Sequence, residues 1–106
     1  MIIIKKRISF AFLAEEYKDA YIILKAIPIG SYRKMRIDIE KADKDQTDEL
    51  LIKYIEDNFL SGEFPDENGK LQSMSKEDIK QLDGIAIAEC FSYISGQKID
   101  PKLSEQ

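Results

Sequence analysis

Twenty carboxylates, five tyrosines and a single cysteine carry most of the reactive chemistry in this chain, and no histidine accompanies them. Paired carboxylates do acid–base work when their surroundings push their proton affinities apart. Glu15-Glu16 and Asp66-Glu67 are such pairs by type, but nothing in their spacing separates them from an ordinary solvated acidic surface. Cys90 would need a neighbouring base to act as a nucleophile, and histidine, the commonest, is missing. It falls in the most apolar stretch of the chain, so an inert, buried thiol is expected. One cysteine excludes an intrachain disulfide and a multi-cysteine zinc site. Asp66-Glu67-Asn68-Gly69 has the composition of a calcium loop. Setting Gly69 at position six of an EF-hand puts Phe64 at position one and Ser75 at position twelve, so the spacing fails and an Asn-Gly turn remains. The glycines at 30, 62, 69, 84 and 96 are isolated, with no phosphate-cradling loop. The expectation is a protein that is not an enzyme and uses no metal or cofactor.

Charge bounds the partners. Sixteen basic and twenty acidic side chains leave a net charge of −4. A duplex-binding domain usually shows a basic face. The one basic cluster, Lys5-Lys6-Arg7, reads as a solvated strand edge guarded by lysines, so no nucleic-acid partner is expected. No apolar run approaches the roughly 20 residues that span a bilayer; Lys25 breaks the run from Ala20 to Leu24. Lys5-Lys6-Arg7 followed by Ile8 to Ala14 mimics a signal peptide, but Ile2, Ile3 and Ile4 precede the charges and the apolar stretch is short. A strand explains these residues better. The expected setting is cytoplasmic, with no membrane contact and Cys90 reduced.

The elements that must position any site follow from periodicity. Ile8, Phe10 and Phe12 share one face of an extended segment over 2–13. A second β-rich run covers 20–29, and a hairpin joins the two across the polar stretch 14–19. Pro28 and Gly30 end it. Ser31 is a candidate cap for a helix over about 32–43, with Tyr32, Met35, Ile39 and Ala42 on one side. Thr47 is a candidate cap for a second helix to about residue 61, with Leu50, Leu51, Tyr54, Ile55 and Leu60 as its apolar side and Gly62 as its stop. Residues 63–73 read as a linker. Ser75-Lys76-Glu77-Asp78 resembles a capping box opening a short helix to about Leu82. Asp83 caps the next helix, about 84–95, whose stripe of Ile85, Ala88, Phe91 and Ile94 is widened by Ala86, Ile87 and Cys90. The fold class is therefore α+β: an N-terminal β-hairpin followed by about four helices, the helices forming the main core. Residues 1–96 are expected to form one globular domain, and 97–106 a polar, mobile tail.

This order of features resembles the tail assembly chaperones of long-tailed bacteriophages and related prophage proteins. Three segments carry the likeness: Asp19 to Tyr32, a strand with a Pro28-Ile29-Gly30 break before a helix; Leu50 to Gly62, helical; and Ser75 to Leu82, followed by the helix around Cys90-Phe91-Ser92-Tyr93-Ile94-Ser95-Gly96. Seventeen isoleucines with no valine, and thirteen lysines against three arginines, fit an AT-rich coding sequence such as that of a low-GC bacterium or its phages. The resemblance implies a non-enzymatic, oligomeric protein of the host cytoplasm, not expected in the mature virion. It would bind the tape measure protein, keep it soluble and help recruit tail tube protein, which would then displace it.

Such a chaperone needs an exposed apolar groove or stripe. The helices over 47–61 and 84–95 offer Leu51, Tyr54, Ile55, Phe91 and Ile94 as candidate partner-binding residues. The plainer reading packs these five on each other in the core. A rival function is a small phage- or mobile-element-encoded inhibitor that masks one host protein, although its carboxylates are interleaved with lysines (Asp43-Lys44-Asp45) rather than clustered as a nucleic-acid mimic would have them. A minor structural piece of the virion is a third.

Overall fold

The computed structural model describes residues 2–96, so the tail expected at 97–106 lies outside the described residues. β1 (Lys5–Ser9) and β2 (Tyr21–Lys25) form the expected N-terminal hairpin, antiparallel, with Lys5 opposite Lys25 and Ser9 opposite Tyr21. Ladder bonds extend past both ends of β1: Ala26 N–H donates to the Ile4 carbonyl at 2.7 Å, and Phe10 N–H to that of Ala20 at 3.0 Å. The chain then turns at residues 11–13, which leaves Phe12 exposed although it shares the parity of Ile8 and Phe10. A single 3-10 turn, Glu15–Tyr17, completes the connection.

Four helices follow, as the pattern requires: α1 (Ile29–Lys41), α2 (Lys44–Asp57), a 3-10 helix at Lys76–Gln81 and α3 (Gly84–Ile94). Their starts differ from expectation in two places. Pro28, extended at ψ 147°, precedes the first helical residue of α1, so Ser31 lies inside the first turn. The fixed φ of proline suits that entry without a side-chain cap. Asp43, not Thr47, caps α2: its Oδ1 accepts from Gln46 N–H at 2.8 Å, and Gln46 Oε1 accepts from Asp43 N–H at 3.0 Å. This is a reciprocal capping box with Asp in the usual Ser/Thr place. Thr47 turns its hydroxyl back to the Asp43 carbonyl. At α3 the expected cap holds, with Asp83 Oδ1 accepting from Ala86 N–H at 2.9 Å.

The larger correction concerns residues 58–73. α2 stops at Asp57, where Asn58 Nδ2 donates to the Tyr54 carbonyl at 2.7 Å. Phe59–Pro65 is then β3 and Leu71–Ser73 is β4. The supposed linker is thus a second hairpin, and the sheet has four antiparallel strands in the order β1-β2-β3-β4. Ile23 faces Ser61 and Leu24 faces Phe59, so Leu60 is the extra residue of a bulge and is exposed rather than part of a helix stripe. Gly62 is not a helix stop. A Cβ placed there would lie 2.8 Å from the Tyr21 carbonyl oxygen, so β2 and β3 approach as they do because the side chain is absent. Pro65 falls at the last position of β3. The turn at 66–70 is the expected Asn-Gly turn: Gly69 has φ 81°, and Asp66 Oδ1 accepts from Asn68 and Lys70 N–H.

The core is mainly helical, as expected: eight of the thirteen buried apolar residues among those described lie on helices, and the sheet side supplies the rest. Ile8, Phe10, Ile22 and Leu24 cover one face of the sheet, and Ile55, Ile79, Cys90 and Ile94 close over them from the helices. On α3 the buried side is Ala86, Ile87, Cys90, Phe91 and Ile94, whereas Ile85 and Ala88 point to solvent. Ile27 N–H donates to the Ile94 carbonyl at 2.8 Å and ties the exit of β2 to the end of α3.

Candidate interaction surface

Three of the five expected partner residues are interior. Ile55 and Ile94 are fully enclosed and Phe91 is 8% exposed. Leu51 and Tyr54 are half-buried, and the Tyr54 ring lies 6.4 Å from that of Phe91, tilted by 59°. Helical spacing selects a buried face and a docking face equally well, which is why the sequence could not separate them.

Leu51 and the accessible edge of Phe91 do reach one open groove, of about 330 Å3, between α1, α2 and α3. Tyr32, Met35 and Ile39, with Arg36 and Glu40, line its α1 side. The first three were legible as a helical stripe but not as the wall of a groove, because that role depends on where α1 lies. Met35 is the one fully buried residue of α1, so this helix closes the groove only in part. Ile55 and Ile94 do not contribute to the lining. Burial, and then the carboxylates of Asp38 and Asp57, raise the Tyr54 hydroxyl above its ordinary proton affinity, so it enters any contact as a neutral donor.

The remaining chemical candidates are occupied by structure. Asp66 spends Oδ1 on its own turn, and Oδ2 accepts from Gln72 Nε2 at 3.3 Å. Glu15 pairs with Lys18 at 3.9 Å on the exposed surface. Burial, with a smaller push from Glu89, drives the Cys90 thiol up to about 12, so the reactive thiolate is scarce at neutral pH. On the open face of the sheet the Arg7 guanidinium stands 4.3 Å from the centre of the Tyr21 ring, and Tyr21 donates to Glu63 Oε1 at 2.9 Å. That hydrogen bond, then burial and the Glu63 charge, raise the Tyr21 hydroxyl against the opposing pull of Arg7. The chain Arg7–Tyr21–Glu63 braces three strands. No three side chains of the metal-binding types converge among the described residues. No described helix is long and apolar enough to cross a membrane.

Comparison with family models, curated proteins and solved structures finds no match for this chain.

Proposed function

We propose that this protein is a non-enzymatic tail assembly chaperone of the long-tailed phage type. It acts in the host cytoplasm, holds the tape measure protein in solution, and yields it to tail tube protein. The observation that carries this reading is the open groove between α1, α2 and α3, where Tyr32, Met35, Ile39, Leu51 and Phe91 stand together with Arg36, Glu40 and Thr47. A coiled client presents apolar side chains every three to four residues, and a groove between helices receives such a row. The segment 19–32, on which the family resemblance begins, folds as β2 running into α1, the element that forms one wall. No catalytic step, metal or cofactor is part of the proposal.

The test is co-expression with a tape measure fragment, reading the soluble fraction of the fragment and the mass of the complex by light scattering. Leu51 lies in the groove and Ile55 behind it, so their substitutions separate binding from folding. Leu51→Asn is expected to lower the co-purified fragment about fivefold, an effect of roughly 1 kcal/mol on binding. Ile55→Ala is expected to cost about 2–5 kcal/mol of stability, with the loss of function following from unfolding. A fragment that stays insoluble beside the wild-type protein, or a Leu51→Asn protein that holds it fully, defeats the reading. A monomer that ignores the fragment moves the assignment to the inhibitor of a single host protein.

A further inference from the structure

The outward side of α1 has no partner among the described residues. Ile29, Arg33, Arg36, Ile37 and Glu40 fall at spacings of four, seven, eight and eleven residues from the first, which makes one stripe on the side away from Met35. Ile29 is 87% exposed and Ile37 41%. Arg33 makes no ion pair among the described residues, and Arg36 meets only own-helix neighbours: Glu40, 3.6 Å away with both side chains well exposed, and the Tyr32 ring, 5.9 Å from its guanidinium. An exposed pair of that kind holds an arginine weakly. α2 carries the complementary pattern: Asp45, Asp48, Glu49, Ile52 and Glu56 follow one another at spacings of three, four, seven and eleven from the first. Four basic side chains stand against two acidic ones on α1, and two basic against five acidic on α2.

We propose that the outward stripe of α1 docks on α2 of a second copy of this chain. Ile29 and Ile37 leave water against Ile52 and the aliphatic stems around it, while Arg33 and Arg36 face Asp48 and Glu49. The occupant is a second copy because the chain as a whole carries a net charge of −4, so copies repel unless a basic surface of one meets an acidic surface of the other. These two helices supply such surfaces, each with an isoleucine inside its charged row. The contact requires no tape measure protein, so it stands or falls apart from the chaperone reading. It borders the groove, because Arg36 and Glu40 of the stripe also line it.

The experiment is charge reversal in the full chain, read as mass by light scattering, with circular dichroism as the control for folding. Arg33→Glu with Arg36→Glu is one variant and Asp48→Lys with Glu49→Lys the other; all four positions are exposed. Each variant alone is expected to associate at least about tenfold more weakly than wild type, a change of roughly 1.4 kcal/mol. Their equimolar mixture is expected to recover the assembly, since the acidic α1 of one then meets the basic α2 of the other. All four substitutions in one chain are expected to restore self-association. Raising salt from about 50 mM to about 500 mM is expected to weaken the wild-type assembly as the Debye length contracts. The proposal is overturned by a wild-type protein of one-copy mass up to about 0.5 mM, a concentration that excludes even weak association. It is equally overturned by reversed variants that keep the wild-type mass, or by a mixture that fails to recover it while both components remain folded. Those last results would assign the assembly to another surface.

Discussion

Gly62→Ala tests the β2–β3 junction directly. A methyl group at position 62 would stand 2.8 Å from the Tyr21 carbonyl oxygen, 3.0 Å from Met74 Sδ and 3.3 Å from Ile22 Cα. The methionine can swing away, but the other two atoms are backbone of the neighbouring strand. Relief therefore requires β2 and β3 to part by several tenths of an ångström, across a ladder that already carries the Leu60 bulge. Overpacking of this kind costs about 1–3 kcal/mol. Alanine returns about 0.4–1 kcal/mol by restricting the unfolded chain, so the net expected loss is about 1–2 kcal/mol. For a domain of this size that lowers Tm by about 5–15 °C. Gly30→Ala is the matched control. It sits in α1 with nothing within 4 Å of a new Cβ, so the unfolded-state term acts alone and stability is expected to rise by about 0.5–1 kcal/mol. The assay is urea unfolding of both variants at unchanged m, with amide exchange locating the loss. The β2 and β3 amides should exchange faster in Gly62→Ala while those of α3 keep their relative order. A Gly62→Ala protein as stable as wild type, or one whose loss maps to the end of α2, refutes the strand assignment.

Two further outcomes follow from the same structure. Asp43→Ala removes the side-chain half of the capping box of α2, the bond that Asp43 Oδ1 accepts from Gln46 N–H, and is expected to cost about 1 kcal/mol in thermal unfolding, whereas Thr47→Ala should cost less because its hydroxyl only returns to a carbonyl. The Cys90 thiol has a folded value of about 12 against an ordinary 9.0, so the folded protein keeps a proton that the unfolded chain releases; stability should be level below pH 9 and fall above it by up to about 1.4 kcal/mol per unit, with Cys90→Ala removing that part of the slope while the raised Tyr21 and Tyr54 keep theirs.

The N-terminal hairpin was legible because Ile8, Phe10, Ile22 and Leu24 alternate with polar or partly exposed neighbours over whole strands. The helix around Cys90 was legible because Asp83 announces it and its apolar side is continuous. β3 was not. Phe59 and Leu60 extend the helical spacing of Leu51 and Ile55, and nothing local says that the chain changes its period at Asn58. What decides is tertiary: β2 offers an open edge, and Phe59 and Phe64 pack on the core from a strand. β4 has three residues, too few for any pattern to declare itself. The groove was half legible. Leu51 and Phe91 came from sequence, but Tyr32, Met35 and Ile39 became its second wall only when α1 was placed across from them.

α1 is where these readings meet. A thirteen-residue helix that fully buries one side chain draws little stability from packing, and isolated helices of that length are marginal in water. Its groove side, Tyr32, Met35 and Ile39, and its solvent side, Ile29, Arg33 and Ile37, meet at Arg36 and Glu40, which line the groove as well. Filling either one stabilises the helix, and a helix already stabilised presents the other face in better order. If both proposals hold, the two contacts are therefore coupled through α1 with a positive sign, and by linkage each strengthens the other by the same factor. Self-association would then prepare the groove for a client, and a client would tighten the assembly, without α1 moving to a second position. Reciprocity is the signature of this arrangement. A protein reversed at Arg33 alone, a position that does not line the groove, should hold a tape measure fragment less well than wild type, and mixing it with the Asp48→Lys, Glu49→Lys protein should restore that holding together with the mass.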